Sequence, residues 1–133
     1  MAVPGPGEFD MNARHLVLGA AGEKRAAAHL RRRGYRIVAR NVRADGVEID
    51  LIARRGPIVV FVEVKTRRGR RLGPPEQAVD ARKRARLVRG AAAWLHANPR
   101  IARRARFDVI TCELDESGAW SLRHLEAAFD ASD

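Results

Sequence analysis

The fold is decided by residues 47–66, which read VEIDLIARRGPIVVFVEVKT. Two β-branched segments, Val47–Ala53 and Ile58–Thr66, flank a short connection that contains Gly56 and Pro57. Strand-forming segments on either side of such a connection predict a β-hairpin. We therefore expect these two segments to pair as antiparallel strands.

Side-chain alternation determines which residues of the hairpin share a face, because a slip of one residue would turn every side chain to the other side. One face is predicted to carry apolar residues from both strands: Val47, Ile49, Leu51, Val60, Val62 and Val64. The opposite face is predicted to carry Glu48, Asp50, Ile52, Phe61, Glu63 and Lys65. In either register the backbones of Asp50 and Glu63 then lie within about 8 Å of each other.

The flanking segments predict two helices and three more strands. A helix from Asn12 to Arg33 would end at Gly34, and an arc of roughly 80° on it contains Leu16, Ala20, Glu23, Ala27 and Leu30. Because Gly19 and Gly22 each cost about 1 kcal/mol inside a helix, a start near Gly22 stays open. The other predicted elements are a strand Tyr35–Arg40, a loop Asn41–Gly46, a helix Glu76–His96 with a stripe of Leu87, Val88, Ala91 and Leu95, and strands Ala105–Leu114 and Ala119–Leu125.

Length and composition predict a single domain. The chain has 133 residues, and its 46% hydrophobic residues are enough for a packed core with Trp94, Phe61 and Phe107 as large members. We assign residues 11–133 to this domain and residues 1–10, rich in Pro and Gly, to a flexible leader. No apolar run is long enough to span a membrane, no secretion signal is found, and the single Cys112 fits a reducing compartment. A cytoplasmic protein with no membrane partner is predicted.

The positive charge of the chain is concentrated in one stretch. Overall, 26 Lys and Arg against 16 Asp and Glu give +10, whereas Lys65 to Arg106 holds 14 basic and two acidic residues, a net charge of +12. Such a block is typical of a protein that binds a polyanion, above all nucleic acid. An ordinary solvated surface in an arginine-rich protein is the alternative. The candidate phosphate contacts are Arg67, Arg68, Arg70, Arg71, Arg82, Lys83, Arg86 and Arg89.

Four residues are candidates for catalysis: Glu23, Asp50, Glu63 and Lys65. Carboxylates crowded on one face repel each other unless one is protonated or a cation lies between them, and a hard divalent ion with oxygen ligands suits that position. The predicted cofactor is Mg²⁺ or Mn²⁺, held by Asp50, Glu63 and Glu23, with Lys65 beside the attacking water. A structural ion pair of Asp50 with Lys65 is the alternative. The four histidines are scattered without ligand spacing, which argues against zinc.

Several motifs together resemble a known family, the YraN-like bacterial proteins. They are GEKRAAAHL with Gly22 and Glu23, GYRIVARN, EIDLIA with Asp50, VFVEVKTR with Glu63 and Lys65, and RFDVI from Arg106. This group is related to restriction-endonuclease-like and archaeal Holliday-junction-resolvase nucleases. The resemblance implies an α/β fold with an αβββαβ core, in which a central mixed sheet is flanked by helices. It also implies that Asp50 and Glu63 hold the metal, Lys65 assists the attack and Glu23 completes the site.

The sequence departs from the family pattern at one point. Gly is expected directly before the Glu of EID, and here Val47 intervenes between Gly46 and Glu48. This departure affects only the loop that precedes Asp50. All four catalytic positions are present.

Together these features predict a Mg²⁺-dependent endonuclease that acts on nucleic acid, DNA rather than RNA, including branched or structured forms. The alternatives are a catalytically silent nucleic-acid-binding protein of the same fold and a basic ribosome- or protein-associated structural factor. A resolvase-like activity would imply a homodimer, because symmetric cutting of a four-way junction needs two sites. The candidate surfaces for that dimer are the outer side of the first helix and the last strand, which carries Trp120, Leu122 and Leu125.

Overall fold

The computed structural model describes residues 6–69, 77–101 and 104–131, with side chains described from residue 16 onward. In chain order the elements are α1 Pro6–Arg32, β1 Arg36–Ala44, β2 Val47–Arg55, β3 Ile58–Arg68, α2 Ala81–Ala97, β4 Arg104–Leu114 and β5 Trp120–Phe129. This order confirms the predicted α/β class with its restriction-endonuclease-like αβββαβ core, to which β5 is added.

The five strands form one mixed sheet in the order β1-β2-β3-β4-β5. Neighbouring strands are antiparallel except β3 and β4, which run parallel and are connected through α2. One buried cluster joins α1 to the sheet residues Leu51, Val62 and Ile110. The other joins α2 to Ile52, Phe61 and Phe107, with Trp94 packed against it, as predicted for the large core residues. The central strand β3 is therefore covered on both faces.

The sheet divides where β2 and β3 stop pairing with each other. Their described ladder runs from Arg55 opposite Ile58 to Leu51 opposite Val62 and goes no further. Beyond that point β2 pairs only with β1, while β3 continues alongside β4 to Arg68. The start of β2 and the end of β3 are thus the two arms of a fork, and α2 lies over its opening.

The predicted faces of the hairpin are correct on one side of Asp50 and wrong on the other. Ile52 and Phe61 share the α2 face, and Leu51 shares the α1 face with Val62, as predicted. Val47 and Ile49, however, belong to the α2 cluster and not to the face of Leu51. Alternation holds only along an unbroken ladder, and here the strand changes face at Asp50, opposite a kink in β1.

That kink is at Asn41, whose φ of 48° lies in the left-handed region that Asn tolerates better than most residues. The predicted loop Asn41–Gly46 is accordingly wrong. β1 runs on to Ala44, and a two-residue turn of Asp45 and Gly46, both with positive φ, leads into β2. Asp-Gly is a preferred sequence for such hairpin turns.

Three other boundaries differ from the prediction by more than two residues. α1 begins at Pro6, six residues before Asn12, and so includes residues 6–10; Pro is favoured in a first helical turn. α2 begins at Ala81 instead of Glu76, because Asp80 caps it by accepting a hydrogen bond from the Lys83 N–H. β5 extends to Phe129 instead of ending at Leu125. Residues 1–5 and Glu76 lie outside the described residues.

The buried face predicted for α1 is correct only in the second half of the helix. Ala27 and Leu30 are fully buried and Glu23 is partly buried, whereas Leu16 is 75% exposed and Ala20 is exposed. The stripe predicted for α2 is confirmed, with Leu87 and Ala91 buried and Val88 and Leu95 packed against the same cluster.

The edge strand β5 packs partly into the protein's own core. Trp120 and Leu122 contact the α1 cluster, and the guanidinium of Arg25 lies 4.6 Å from the Trp120 ring centroid. Dimerisation through this strand stays a prediction. None of the described helices combines the length and the apolar character that a membrane crossing requires.

A buried hydrogen-bond network lies on the face of the sheet that α1 covers, on the opposite side from α2. Asp108, 1% exposed, accepts hydrogen bonds from Arg106 and from the Ala127 N–H, and its Oδ2 lies 2.7 Å from Nε2 of His124. His124 Nδ1 is in turn 3.0 Å from His29 Nε2, so two of the histidines predicted to be scattered meet. Burial alone would raise the pKa of Asp108, but the bonds from His124 and Arg106 hold that pKa below its ordinary value.

Gly22 allows α1 to approach the end of β3. A Cβ at this position would lie 2.0 Å from Oγ1 and 2.9 Å from Cγ2 of Thr66. Thr66 is β-branched and short, so it has little freedom to move aside. The absence of a side chain at Gly22 thus sets the distance between α1, which carries Glu23, and the strand that carries Lys65.

We predict that Gly22→Ala lowers the free energy of unfolding by about 1–3 kcal/mol, because the added methyl group overpacks this contact. Gly19→Ala is the matched control: a methyl group at this position would have no atom within 4 Å, so the higher helix propensity of Ala should stabilise the protein by up to about 1 kcal/mol. Urea denaturation followed by circular dichroism measures both. Equal effects of the two substitutions would contradict the close approach.

Candidate active site

The fork of the sheet and the start of α2 enclose a groove of about 600 Å³. Asp50 and Glu63 lie at its base on the two arms, and Arg82, Lys83 and Arg86 line it from the helix. Two of the predicted catalytic carboxylates are therefore brought together with part of the predicted basic surface.

Asp50 is held by a backbone hydrogen bond from the opposite arm. Its Oδ2 accepts from the Val64 N–H at 2.8 Å, a donor that β2 would otherwise have to satisfy. Burial, followed by the charge of Glu63, raises the pKa of Asp50 to about 7, while the Val64 bond opposes that rise. The crowding of carboxylates inferred from the sequence is thus present.

Glu63 is a buried carboxylate that two lysines approach. Its side chain is 7% exposed, and its Oε1 lies 2.5 Å from Nζ of Lys83 and 4.0 Å from Nζ of Lys65. A buried carboxylate needs such partners, since removing a charge from water costs several kcal/mol. The alternative of an ion pair between Asp50 and Lys65 is not among the described contacts, because both lysines contact Glu63 instead.

The two lysines also interact with each other. A hydrogen bond with Lys83, and then burial, lower the pKa of Lys65 below its ordinary value. Burial alone would lower the pKa of Lys83 as well, but its hydrogen bonds with Glu63 and Lys65 outweigh burial and raise that pKa. Of the pair, Lys65 is the one that gives up a proton more easily.

The sequence places Lys83 on the predicted phosphate-binding surface and does not indicate its contact with Glu63. It comes from a helix 18 residues after Lys65, and the contact depends on where α2 begins. The sequence does contain one indication that Lys83 belongs to the site. The chain has only three lysines, Lys24, Lys65 and Lys83, among its 26 basic residues.

Glu23 lies on α1, on the opposite side of the sheet from α2 but close to the end of β3. It is partly buried, and its charge contributes to the raised pKa of Asp50. The close packing of Gly22 on Thr66 sets this position. Glu23 therefore acts on the site electrostatically in the structure as it stands.

The carboxylates fit a divalent cation held by two residues better than one held by three. Among the described residues, no group of three or more His, Cys, Asp and Glu side chains is arranged to hold a metal ion. Mg²⁺, however, is usually bound through one or two carboxylates together with waters and substrate phosphates. The raised pKa of Asp50 and the ammonium already on Glu63 both indicate a position that favours a cation. Asp50 and Glu63 fit Mg²⁺ or Mn²⁺, and Glu23 as a ligand stays a prediction.

A buried hydroxyl without a partner lies beside these residues. Thr111 is the β4 register partner of Lys65, is 1% exposed, and its Oγ1 has no hydrogen bond within the described parts of the chain. Buried polar atoms are normally satisfied by protein or ordered water. Among the described residues, none supplies a partner for the Thr111 hydroxyl, which lies next to Lys65.

The remaining basic candidates lie on α2 and at the end of β3. Arg67 and Arg68 are exposed at the end of β3, and Arg82 and Arg86 are exposed on α2. Arg89 instead forms an exposed ion pair with Asp45 at 3.0 Å, a contact that joins α2 to the β1–β2 turn. Arg70 and Arg71 lie outside the described residues.

Comparisons with known proteins agree with the motifs. The model of the "Uncharacterised protein family UPF0102" matches residues 22–112, which include Glu23, Asp50, Glu63 and Lys65. A UPF0102 protein of Symbiobacterium thermophilum is 49% identical over 114 residues, covering 86% of this chain and 97% of that protein. A UPF0102 protein of Nitratidesulfovibrio vulgaris is 44% identical over 123 residues, covering 92% of this chain and 90% of that protein.

The raised pKa of Asp50 predicts how stability depends on pH without metal. Unfolded Asp50 loses its proton near pH 3.8, whereas the folded form keeps it until about pH 7. Between these values the folded state binds more protons, so the free energy of unfolding should fall as pH rises from about 4 to 7. We expect Asp50→Asn to remove this component when both proteins are unfolded with urea in a chelating buffer.

The ionisation of Asp50 can also be followed directly by NMR of its carboxyl carbon. We expect a midpoint near pH 7 for Asp50. Asp115, whose pKa is lowered by its hydrogen bond with Ser117, should titrate below its ordinary range in the same spectra. A midpoint for Asp50 at or below 4 would show that the carboxylates are not crowded.

Proposed function

The chain belongs to the uncharacterised protein family UPF0102, and we propose that this member is a Mg²⁺-dependent nuclease that hydrolyses phosphodiester bonds in DNA. The observation that carries the proposal is the meeting of Asp50 and Glu63 at the fork, with Lys65 and Lys83 on Glu63. Crowded carboxylates with adjoining lysines, at the base of a groove lined by arginines, suit a reaction on a phosphate ester.

Hydrolysis replaces one bond to phosphorus by another. The oxygen of a water molecule forms the new P–O bond and loses a proton, while the bond to the leaving oxygen breaks and that oxygen gains a proton. A divalent cation bound by Asp50 and Glu63 would supply Lewis-acid stabilisation of the phosphoryl charge. Lys65 would orient the water or stabilise negative charge that develops on the phosphate.

The carboxylates are themselves positioned by the surrounding fold. The Val64 N–H holds one oxygen of Asp50, so the other oxygen has a defined direction. Glu63 is on the central strand and is buried on both sides by packed elements. Such support keeps catalytic groups close to a single geometry, which enzymes require of them.

The charge around the groove supports nucleic acid as the substrate. Arg82 and Arg86 are exposed on the helix above the carboxylates, and Arg67 and Arg68 extend from the β3 arm. Exposed arginines on the helix that lines the groove and at the end of β3 can contact phosphates of a nucleic acid. The described part of this surface has no exposed aromatic residue for base stacking, which favours recognition of nucleic-acid shape over base sequence.

We predict that the protein cleaves at least one substrate among branched, single-stranded and duplex DNA when Mg²⁺ or Mn²⁺ is present. Asp50→Ala and Glu63→Ala should each lower the cleavage rate by about 10²–10³-fold, as expected for loss of charge stabilisation at the reacting phosphate. Lys65→Ala should lower it by about 10²-fold. Gel electrophoresis of labelled substrates measures these rates, with the corresponding RNAs in parallel.

Glu116→Ala is the matched control, because Glu116 is an exposed carboxylate in the β4–β5 turn and is not one of the residues that line the groove. Its rate should equal that of the wild type. Cleavage that survives both Asp50→Ala and Glu63→Ala would indicate another site or a contaminant. Absence of cleavage on every substrate, combined with binding, would favour the catalytically silent nucleic-acid-binding protein.

A second prediction concerns the basic residues of α2. If about six phosphates are neutralised, the slope of log affinity against log salt on duplex DNA should be near −5. Replacing Arg82 and Arg86 together by Ala should reduce that slope by about two. Arg31 and Arg32, exposed in the last turn of α1, are the control pair, and their replacement should leave the slope unchanged. A response to salt that is the same in all three proteins would exclude α2 as the binding surface.

A further inference from the structure

Lys83 is positioned by both its main chain and its side chain. Its N–H donates to Oδ1 of the helix cap Asp80 at 2.9 Å, which determines where the first turn of α2 begins. From that turn its Nζ reaches across the groove to Oε1 of Glu63 at 2.5 Å. The helix cap thus holds Lys83 against Glu63 at the base of the groove.

The ammonium of Lys83 lies where a cation shared by the carboxylates would have to bind. Oε1 of Glu63 is approached by two lysines, and Asp50 lies near enough for Glu63 to raise its proton affinity. A divalent ion on the same oxygen would meet the ammonium of Lys83 at close range, and like charges in a partly buried position repel strongly. The ion and Lys83 therefore compete for Glu63.

Lys83 has another position available on the same side of the groove. Its side chain is 37% exposed, and its helix neighbours Arg82 and Arg86 line the groove at the place where phosphates are expected. A flexible lysine chain can turn by rotation about its side-chain bonds, without movement of the helix. Release from Glu63 would therefore bring one more positive charge to the substrate side.

We propose that Lys83 occupies the cation position on Glu63 in the metal-free protein and moves to a substrate phosphate when a divalent cation binds. This inference rests on the proposed function. It makes Lys83 a positioning residue that couples metal binding to substrate binding, because each bound cation frees a phosphate contact. A static ion pair that only fastens α2 to the sheet is the competing interpretation.

The competition is tested by Mn²⁺ binding, measured by electron paramagnetic resonance of the free ion at constant ionic strength and without nucleic acid. Lys83→Met keeps the aliphatic chain and removes the charge. We expect it to bind Mn²⁺ about tenfold more tightly than the wild type, equivalent to removing about 1.4 kcal/mol of repulsion. Lys24→Met, which removes the same charge from an exposed position on α1, should bind Mn²⁺ like the wild type. Equal or weaker Mn²⁺ binding by Lys83→Met overturns the proposal.

The Met variant leaves Glu63 without its nearest partner, so its folding is checked by circular dichroism. If it does not fold, Lys83→Gln replaces it, because an amide still donates a hydrogen bond to Glu63 without carrying charge. The same tightening is expected of this variant. Lys83→Arg, which keeps the charge, should bind Mn²⁺ no more tightly than the wild type, and a tenfold tightening by Lys83→Arg would also overturn the proposal.

The second half of the proposal is tested by duplex DNA affinity, measured by fluorescence anisotropy with EDTA and with Ca²⁺, with the DNA checked for integrity afterwards. Relative to Lys24→Met, Lys83→Met should bind DNA equally in EDTA, when Lys83 is engaged by Glu63. In Ca²⁺ it should bind several-fold more weakly, because the released contact is missing. An equal loss in both conditions, or none in either, overturns the movement to phosphate.

Failure of this inference and failure of the proposed function give different results. If the wild type binds Mn²⁺ and Asp50→Asn abolishes that binding, the metal site stands, and unchanged affinity in Lys83→Met overturns only the role of Lys83. If no variant binds Mn²⁺, or if Asp50→Asn binds like the wild type, both the metal-dependent nuclease and the competition are overturned.

Discussion

The hydrogen bond from the Val64 N–H to Asp50 is the contact on which the candidate site depends. A backbone donor in the middle of a sheet has to be satisfied, and here a side chain from the neighbouring strand takes the place of a ladder carbonyl. Because that bond replaces strand pairing, β2 and β3 separate beyond Leu51 and Val62. The separation opens the groove and leaves Asp50 and Glu63 together at its base. The same hydrogen bond therefore accounts for both the groove and the position of the carboxylates within it.

Most of the fold could be predicted because its strands are long and β-branched. The hairpin and the buried stripe of α2 follow from periodicity and turn residues. The change of face between Ile49 and Leu51 could not be predicted, since a period of two assumes regular strand conformation, and here Asn41, opposite Asp50, has a positive φ. The dipeptide Asp45-Gly46 is typical of a two-residue hairpin turn, and a turn at this position predicts the observed end of β1 at Ala44.

The candidate site was predictable to the extent that it lies on the hairpin. Two residues apart on one strand, Glu63 and Lys65 necessarily share a face, and hairpin pairing brings Asp50 close to them. Lys83 was not predictable in the same way, because its reach depends on the helix beginning at Ala81 rather than five residues earlier. Its cap, Asp80, is a preferred residue at that position, but the sequence also permits an earlier start. Local sequence patterns do not predict such tertiary contacts between elements that are distant along the chain.

The choice of lysine at the base of the groove has a physical reason in a chain that otherwise uses arginine. There are 23 arginines and three lysines, and two of those lysines approach one oxygen of Glu63. A guanidinium would bind the carboxylate through two parallel hydrogen bonds and keep its charge at any ordinary pH, which makes a durable pair. An ammonium makes a single-point contact on a flexible chain and exchanges partners more readily. Lysine at positions 65 and 83 therefore neutralises Glu63 without binding it permanently, while arginine on the exposed face of α2 supplies a permanent charge, as the proposed polyanion substrate would require.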